Sequence, residues 1–573
     1  MYILVSPTRS ERLRVRELDD AGTPTAVDVL MSPGELQALA VEREEGAVRW
    51  VWEDTARLYP LLLQGGIRVK RAHDLRLCHA ILRLSEATSG SVLANTPGGR
   101  WSEPLAPPPA PTQGTTLFDF DLGPEDPADP APAGDDDLAQ FQSQLDAVRR
   151  SAEPGRLRLL LAAESVGALI AAEMQFAGLP WRSAIHDRLL TAELGSRAPA
   201  GARPERLEEL AGRIRSALAD PLLNPDSPPE LLRALHRADL RVESTRAWEL
   251  EKIEHPVIEP LLRYKKLARL LSANGWFWME SWIINDRFHP EYLPGGVVTG
   301  RWATRGGGAL QLPRQIRGAV VADPGWKFVV ADAAQLEPRI LAALSQDTAM
   351  AAAGRGTDLY AGIVASGVVE TRAQAKVAML GAMYGATSGE SGRLLPRLAR
   401  AYPRALALTE TAARAGERGD VVSTRLGRSS PRPGPLWQDE QAKASETGAT
   451  AADERRARTQ ARDWGRFTRN FIVQGTAAEW ALCWMAQIRT DLWRLSLTDE
   501  SPGRAADGPF RVAPHLVFFL HDEVIVHAPA GLADQVAQIV IDAATTAGRL
   551  LFGDFPVDFP LTCVIVDSYA DAK

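Results

Sequence analysis

Two short apolar runs joined by polar residues, Leu516-Val-Phe-Phe-Leu-His-Asp-Glu-Val-Ile-Val526, constrain this chain more than any other stretch. Both runs are rich in β-branched and aromatic residues, so the pair predicts a buried β-hairpin with His521, Asp522 and Glu523 at its tip. Adjacent carboxylates repel each other, and a fold that holds them together usually supplies a cation. Taken singly, the segment also reads as an exposed acidic turn. A second apolar strand, Trp326-Lys-Phe-Val-Val-Ala-Asp332, again ends on a carboxylate. It runs into Gln335-Leu-Glu-Pro-Arg339, which has helical periodicity, with Pro338 in a first turn that tolerates it. Oxygen ligands without a His or Cys cluster favour Mg2+ or Mn2+ over zinc. Two carboxylates brought together by folding, with two ions about 3.5–4 Å apart, make the arrangement for in-line phosphoryl transfer.

A third segment supplies an anion site. Arg372, Lys376, Leu380 and Tyr384 fall at successive four-residue steps of Thr371-Arg-Ala-Gln-Ala-Lys-Val-Ala-Met-Leu-Gly-Ala-Met-Tyr-Gly385. On an α-helix such side chains drift only about 40° per step, so they share a face. Two cations on the first turns and an aromatic ring about 18 Å along form a ruler for phosphates at one end and a flat ring at the other. Without its neighbours the segment reads as a solvated basic helix end. Gly381 and Gly385 each weaken a helix by about 1 kcal/mol and point to close approach by another group.

In this order, the three segments resemble motifs A, B and C of the bacterial DNA polymerase I family (family A DNA polymerases). Thr299-Gly-Arg301 followed by Leu310-Gln311 is similar to that family's template and primer segment. Asn470-Phe-Ile-Val-Gln474-Gly-Thr-Ala-Ala478, with Arg466 one turn earlier, resembles its N-x-x-x-Q-G-T-A-A helix, and Tyr264-Lys-Lys-Leu-Ala-Arg-Leu270 the end of its thumb. The resemblance implies template-directed addition of deoxynucleotides to a primer 3′ end, with primer-template DNA and dNTPs as partners. It implies that Asp332 and Asp522 bind two Mg2+ ions (Mn2+ as substitute), with the Ala333 carbonyl as a further ligand and Glu523 assisting. Arg372 and Lys376 would hold the triphosphate, Lys376 also protonating the leaving pyrophosphate. Tyr384 would close over the insertion site, Glu337 would be the steric gate against a 2′-hydroxyl, and Gln335, Leu380 and His521 would lie near the nucleotide or primer end. Arg301, Gln311, Arg466, Asn470 and Gln474 would contact the DNA minor groove. The sequence departs from the family at Leu380, where Phe or Tyr is usual, at Ala333-Ala334, and in the spacing around Arg305-Gly-Gly-Gly308.

The resemblance also sets the expected architecture: an α/β and α+β multidomain chain, a right-hand polymerase preceded by a small RNase H-like exonuclease-type α/β domain. Residues 1–100 would be that domain, 101–137 a Pro/Asp-rich linker and 138–573 the polymerase, with thumb about 155–284, palm about 285–346 and 470–573, and fingers about 347–469. Residues 425–462 read as an irregular insertion of the fingers, whose basic end Arg455-Arg-Ala-Arg458 reads as a solvated helix face in preference to a track for template phosphate. In the N-terminal region, Ala72-His-Asp74-Leu-Arg-Leu-Cys-His-Ala-Ile-Leu82 resembles one late stretch of the proofreading domain. No Asp-x-Glu occurs before Arg150, and Asp74 alone cannot rebuild a two-metal site, so the domain is expected to be a degenerate 3′–5′ exonuclease without proofreading. Too little chain precedes the linker for a separate 5′-nuclease domain. Within the linker, Gln113-Gly-Thr-Thr-Leu-Phe118 loosely resembles peptides that bind the bacterial sliding clamp.

Composition is compatible with this reading. The net charge of −7 does not exclude nucleic acid, because binding needs local cationic stripes while metal-binding carboxylates count against the sum. Cys78, Cys483 and Cys563 show no metal spacing and suit a reducing cytoplasm, with nucleoid association following from the DNA partner. No run of about 18 apolar residues is present, so no membrane partner is expected. A single-subunit RNA polymerase shares the palm layout, but Glu337 and the His-Asp-Glu triplet speak against it. A polymerase-fold DNA-binding or scaffold protein with little catalysis is the alternative from another class, opposed by the intact Asp332, Asp522, Arg372 and Lys376. Repair, gap filling and replication are all compatible roles.

Overall fold

Tyr2–Pro7 carries an unbroken apolar run because both of its faces are buried, and it lies at the centre of the first sheet. The computed structural model describes the chain except residues 9–11, 45, 47, 104–133, 200, 306–307, 309–311, 357, 386–388, 499–509 and 573. It divides into two compact units. The first comprises residues 1–177, 292–303 and 329–564, the second residues 178–291, 304–328 and 565–573.

In the first unit, strands β1 (Tyr2–Pro7), β2 (Leu13–Leu18), β3 (Val29–Met31), β4 (Arg49–Trp52) and β5 (Ala72–Asp74) form one sheet in the order β3-β2-β1-β4-β5. The first three pair antiparallel, whereas β4 and β5 are parallel to β1. Ile3, Val5, Trp50 and Trp52 point to one face, where Tyr59, Leu62, Leu169 and Ala172 cover them. Leu4 and Val51 point to the other, beneath Leu75, Trp101 and Phe141. The sheet is therefore closed by helices Pro154–Ala177 and Gly134–Arg150, both beyond the first hundred residues. The ends of the expected linker are packed as well: Trp101 is buried, and Arg100 pairs with Asp136 and Asp137. The clamp-like segment at Gln113 to Phe118 lies outside the described residues.

A buried ionic knot ties this sheet to the rest of the unit. Glu173, on helix Pro154–Ala177, accepts from Arg489 at 2.7 and 3.0 Å, from Arg68 at 3.0 and 3.2 Å and from the Tyr59 hydroxyl at 2.6 Å. Burial alone would raise the Glu173 carboxyl, but the two guanidinium groups outweigh it and hold it down at about 2.

The second sheet has four strands in the order His515–Leu520, Glu523–Pro529, Trp326–Ala333, Leu561–Val566. The predicted hairpin is present. Leu520 faces Glu523 across a two-residue turn, and His521 takes the left-handed backbone (φ 57°) that so tight a turn requires. Against it lies a helix of 48 residues, Ala451–Thr498, packed on helices Pro403–Glu417 and Ala533–Phe552. The expected irregular insertion at 425–462 is thus corrected in part: it holds helix Pro435–Ala444 and, from Ala451, the start of the long helix, which puts Arg455 to Arg458 on a helix face as read, with Arg456 and Arg458 paired with Asp453 and Glu454.

The second unit is mainly helical, with Ser183–Leu194, Glu205–Ala217, Pro228–Arg237 and Ile258–Asn274 as its chief helices. Trp181, His186, Trp278 and Phe288 form its aromatic core, and the Tyr264 hydroxyl donates to Asp226 at 2.7 Å. Among the described residues no helix is long and apolar enough to cross a membrane.

Candidate active site

Asp332 and Asp522, 190 residues apart in sequence, meet where two strands of one sheet end. The Ala333 amide donates to the Asp522 carbonyl at 3.0 Å, fixing the hairpin turn beside the end of strand Trp326–Ala333. Burial, with the Glu337 and Asp332 charges, pushes the half-buried Asp522 carboxyl up to about 6 against the pull of Arg301. Glu523 is buried at the start of the next strand, and His521 is exposed at the tip. Among the described residues no group of three or more His, Cys, Asp or Glu side chains gathers to hold a metal ion. Two repelling carboxylates with oxygen donors only fit Mg2+ or Mn2+, whose remaining positions water and phosphate oxygens fill.

The predicted ruler is a helix, Arg372–Tyr384. The Thr371 hydroxyl caps its start by accepting from the Gln374 amide at 3.2 Å, and Gly385 ends it in the left-handed conformation (φ 73°). Ala375, Ala378, Met379, Ala382 and Met383 fill the buried face, leaving Arg372 and Lys376 exposed and Leu380 and Tyr384 half-buried on the other. The close approach expected at Gly385 is real: a Cβ there would stand 3.1 Å from the Arg466 side chain. At the far end the Tyr384 hydroxyl donates to Glu337 at 2.6 Å, and Glu337 also pairs with Arg301. Burial and that hydrogen bond push the Tyr384 hydroxyl up to about 12. Gln474 shares the same hydroxyl, so Arg301, Glu337, Tyr384 and Gln474 form one cluster.

The sequence gives no hint of what holds Arg372. Its guanidinium makes 2.7 and 3.1 Å bonds to Asp358 and lies over the Tyr360 ring. Burial would raise the Asp358 carboxyl, yet Arg372 and the Ala361 amide keep it below its ordinary range. Gln335 joins this group: its amide reaches Asp358 at 3.3 Å and its carbonyl accepts from the Leu359 amide at 3.2 Å. Asp358 also caps helix Leu359–Ala365, its carboxylate accepting from the Ala361 amide at 3.0 Å, and the sequence reading missed it in both roles.

Tyr292 also escaped the sequence reading. Its hydroxyl bonds both the carbonyl (2.6 Å) and the amide (3.0 Å) of Phe519, and Trp302 packs edge-on against the Phe519 ring. These contacts fasten the turn bearing Arg301 to the hairpin bearing Asp522. On the long helix, Arg466 is exposed and paired with Asp463, while Asn470 and Gln474 follow on the same face. The Asn470 side-chain oxygen is buried and has no hydrogen-bond partner among the described residues. Gln311 lies outside the described residues.

A family model described as DNA polymerase family A matches residues 202–565. The chain belongs to that family. DNA polymerase I of Chloroflexus aurantiacus is 26% identical over 326 residues, covering 52% of this chain and 31% of the relative. The thermostable DNA polymerase I of Thermus thermophilus is 26% identical over 349 residues, 56% of this chain and 37% of its own length. The enzyme of Aquifex aeolicus is 25% identical over 307 residues, 52% of this chain and 48% of its own. The chain thus spans about a third to a half of the length of these family A relatives. A solved structure, the POL domain of Pol1 from M. smegmatis in complex with DNA primer-template and dNTP, matches with a TM-score of 0.65 at 17% identity, over 100% of this chain and 95% of that one. At that identity the likeness is one of fold, and it bears out the α/β and α+β right-hand class.

Proposed function

We propose that this family A chain is a template-directed DNA polymerase that adds deoxynucleotides to a primer 3′ end. The observation that carries the reading is the convergence of Asp332 and Asp522 at the ends of the two central strands of one sheet, with the Asp522 carboxyl raised by burial and by the Glu337 and Asp332 charges. Bound there, two Mg2+ ions would lower the pKa of the primer hydroxyl and offset charge on the leaving pyrophosphate. The rest falls to the chain's own residues. Arg372 turns its planar guanidinium from Asp358 to the oxygens of a triphosphate, Lys376 delivers a proton to the leaving group, and Glu337 crowds a 2′-hydroxyl. Tyr384 and Gln474, joined to Glu337, move with it when the helix closes on a correct pair.

We read the first sheet as a degenerate exonuclease domain. Asp74 supports this: its carboxylate accepts from the Thr55 amide and hydroxyl, both at 2.8 Å, and from the Leu77 amide at 3.0 Å, which spends its lone pairs on structure. A polymerase without proofreading suits gap filling or repair, and residues 113–118 would tether it to a sliding clamp. Primer extension by the wild type, Asp332→Ala and Asp522→Ala, with Mg2+ or Mn2+ and dNTPs or rNTPs, tests the reading. Extension by the wild type alone is expected, each alanine costing about a thousandfold or more. A wild type that extends no primer leaves the DNA-binding or scaffold reading instead. A mismatched 3′ end should persist unexcised.

A further inference from the structure

Beneath the turn that carries Arg301 lies a buried ion pair to which the proposed reaction assigns no task. Arg428 donates to Glu164 at 2.6 Å, and Glu164, on helix Pro154–Ala177, is 1% exposed. The guanidinium lies directly against Gly300: a Cβ on that glycine (φ 86°) would stand 2.5 Å from Arg428 Nε and 2.9 Å from Cζ. At the other end of the turn, a Cβ on Gly295 would stand 2.7 Å from Glu164 Oε1. Both ends of the turn therefore rest on the pair. Arg428 Nε and Glu164 Oε1 have no hydrogen-bond partner among the described residues, so the contact with Gly300 is one of shape.

Arg428 is itself held rigidly. The Thr424 amide donates to the Arg428 carbonyl at 2.8 Å, and the Arg428 amide donates to the Thr424 hydroxyl at 3.0 Å. That hydroxyl bonds Glu479 on the long helix, whose second oxygen accepts from the Leu426 amide at 3.0 Å. The Arg425 amide donates to the Thr476 hydroxyl at 3.1 Å. A continuous line of contacts thus runs from the long helix through Thr424, Arg428 and Gly300 to Arg301 and Glu337.

We propose that Arg428, locked by Glu164, is a positioning residue for Arg301: it seats the Thr299-Gly-Arg301 turn and so sets where Arg301 meets Glu337. The inference rests on the polymerase reading of Arg301 and Glu337. The flat guanidinium is what the site uses, because a plane fits under a backbone without a Cβ while a lysine ammonium supplies charge alone.

Steady-state primer extension by the full chain tests this with Arg428→Lys, the pair Glu164→Gln/Arg428→Gln, Arg301→Ala, and Arg301→Ala combined with Arg428→Lys. The expected result is an Arg428→Lys protein that melts near the wild type yet loses on the order of tenfold or more in kcat/KM for a correct dNTP. Adding Arg428→Lys to Arg301→Ala should cost nothing further, since both act through one group. The Gln pair, which removes both buried charges together, carries the same comparison if the lysine variant fails to fold. Additive losses in the combined variant overturn the proposal, as do wild-type kinetics in both Arg428 variants. A wild type that extends no primer defeats the polymerase reading instead. Crystal structures of the wild type and Arg428→Lys then decide the geometry: an Arg301–Glu337 pair that survives the substitution overturns it, and a displaced turn upholds it.

Discussion

Asp522 is held where its charge is least welcome, which makes function and stability oppose each other at one atom group. Its carboxyl is pushed up by burial, Glu337 and Asp332, so at neutral pH the ionised form destabilises the metal-free fold. Asp522→Asn should therefore raise stability by about 1–2 kcal/mol in a chelator, measured by thermal melting, while abolishing primer extension. A variant that loses activity without becoming more stable would mean that the carboxylates do not repel. Tyr384→Phe removes the 2.6 Å bond that fixes Glu337 from one side. Discrimination against rNTPs should then fall severalfold, read as the ratio of kcat/KM for dNTP and rNTP. The family aromatic missing at Leu380 acts on the same sugar, so Leu380→Phe is expected to tighten KM for the dNTP. These side chains were legible because each sits at the end of an apolar strand or in a four-residue stripe. Asp358 and Tyr292 were not: each acts through a partner that only folding supplies, 14 residues away for Arg372 and 227 for Phe519.

Among the elements, the long helix does more than sequence suggested, since only the basic face near Arg455 to Arg458 marked its first turns. Its early stretch is polar but rich in Ala and Arg, which favour a helix, and it packs on helix Pro435–Ala444 through Gln441 to the Ala457 carbonyl and Lys443 to Asp453. Glu479 shows how it grips the loop before it. Burial, with the charge of Glu164 adding to it, pushes its carboxyl up to about 7 against Arg428 and the bonds from Thr424 and Leu426. An unfolded glutamate releases its proton near 4.5. The raised value means that the stabilising contribution is complete below that pH and is lost as pH rises to about 7. Glu479→Gln keeps one carbonyl oxygen to accept from the Leu426 amide and turns its amide group to the Thr424 hydroxyl, without the charge. At pH 8 it should be more stable than the wild type by about 2–3 kcal/mol, and the two should converge at pH 5, followed by urea denaturation across pH. A constant difference at both pH values would remove Glu479 from this account.

Across the whole molecule, the three motifs and their order were enough to anticipate the fold class, because each is a local pattern with its own periodicity. What they did not reveal is how the first sheet is covered. Beside its own helices, two that help close it lie past residue 133, and Phe510 comes from beyond the long helix. The Glu173 knot belongs to the same scale. Breaking it with Glu173→Ala strands two buried guanidinium groups and should cost about 3–5 kcal/mol in chemical denaturation. Because folding lowers the Glu173 carboxyl, its contribution is present above about pH 4.5 and fades as pH falls toward 2, so the variant and the wild type should approach each other in acid.

The same knot bears on what the first sheet means to the helices packed beside it. Without that lobe Glu173 would keep Arg489 but lose Arg68 and the Tyr59 hydroxyl, leaving a buried carboxylate short of hydrogen-bond donors. Single side chains elsewhere in the lobe can change without touching this contact, whereas shedding the lobe would first require new donors for the helix left behind.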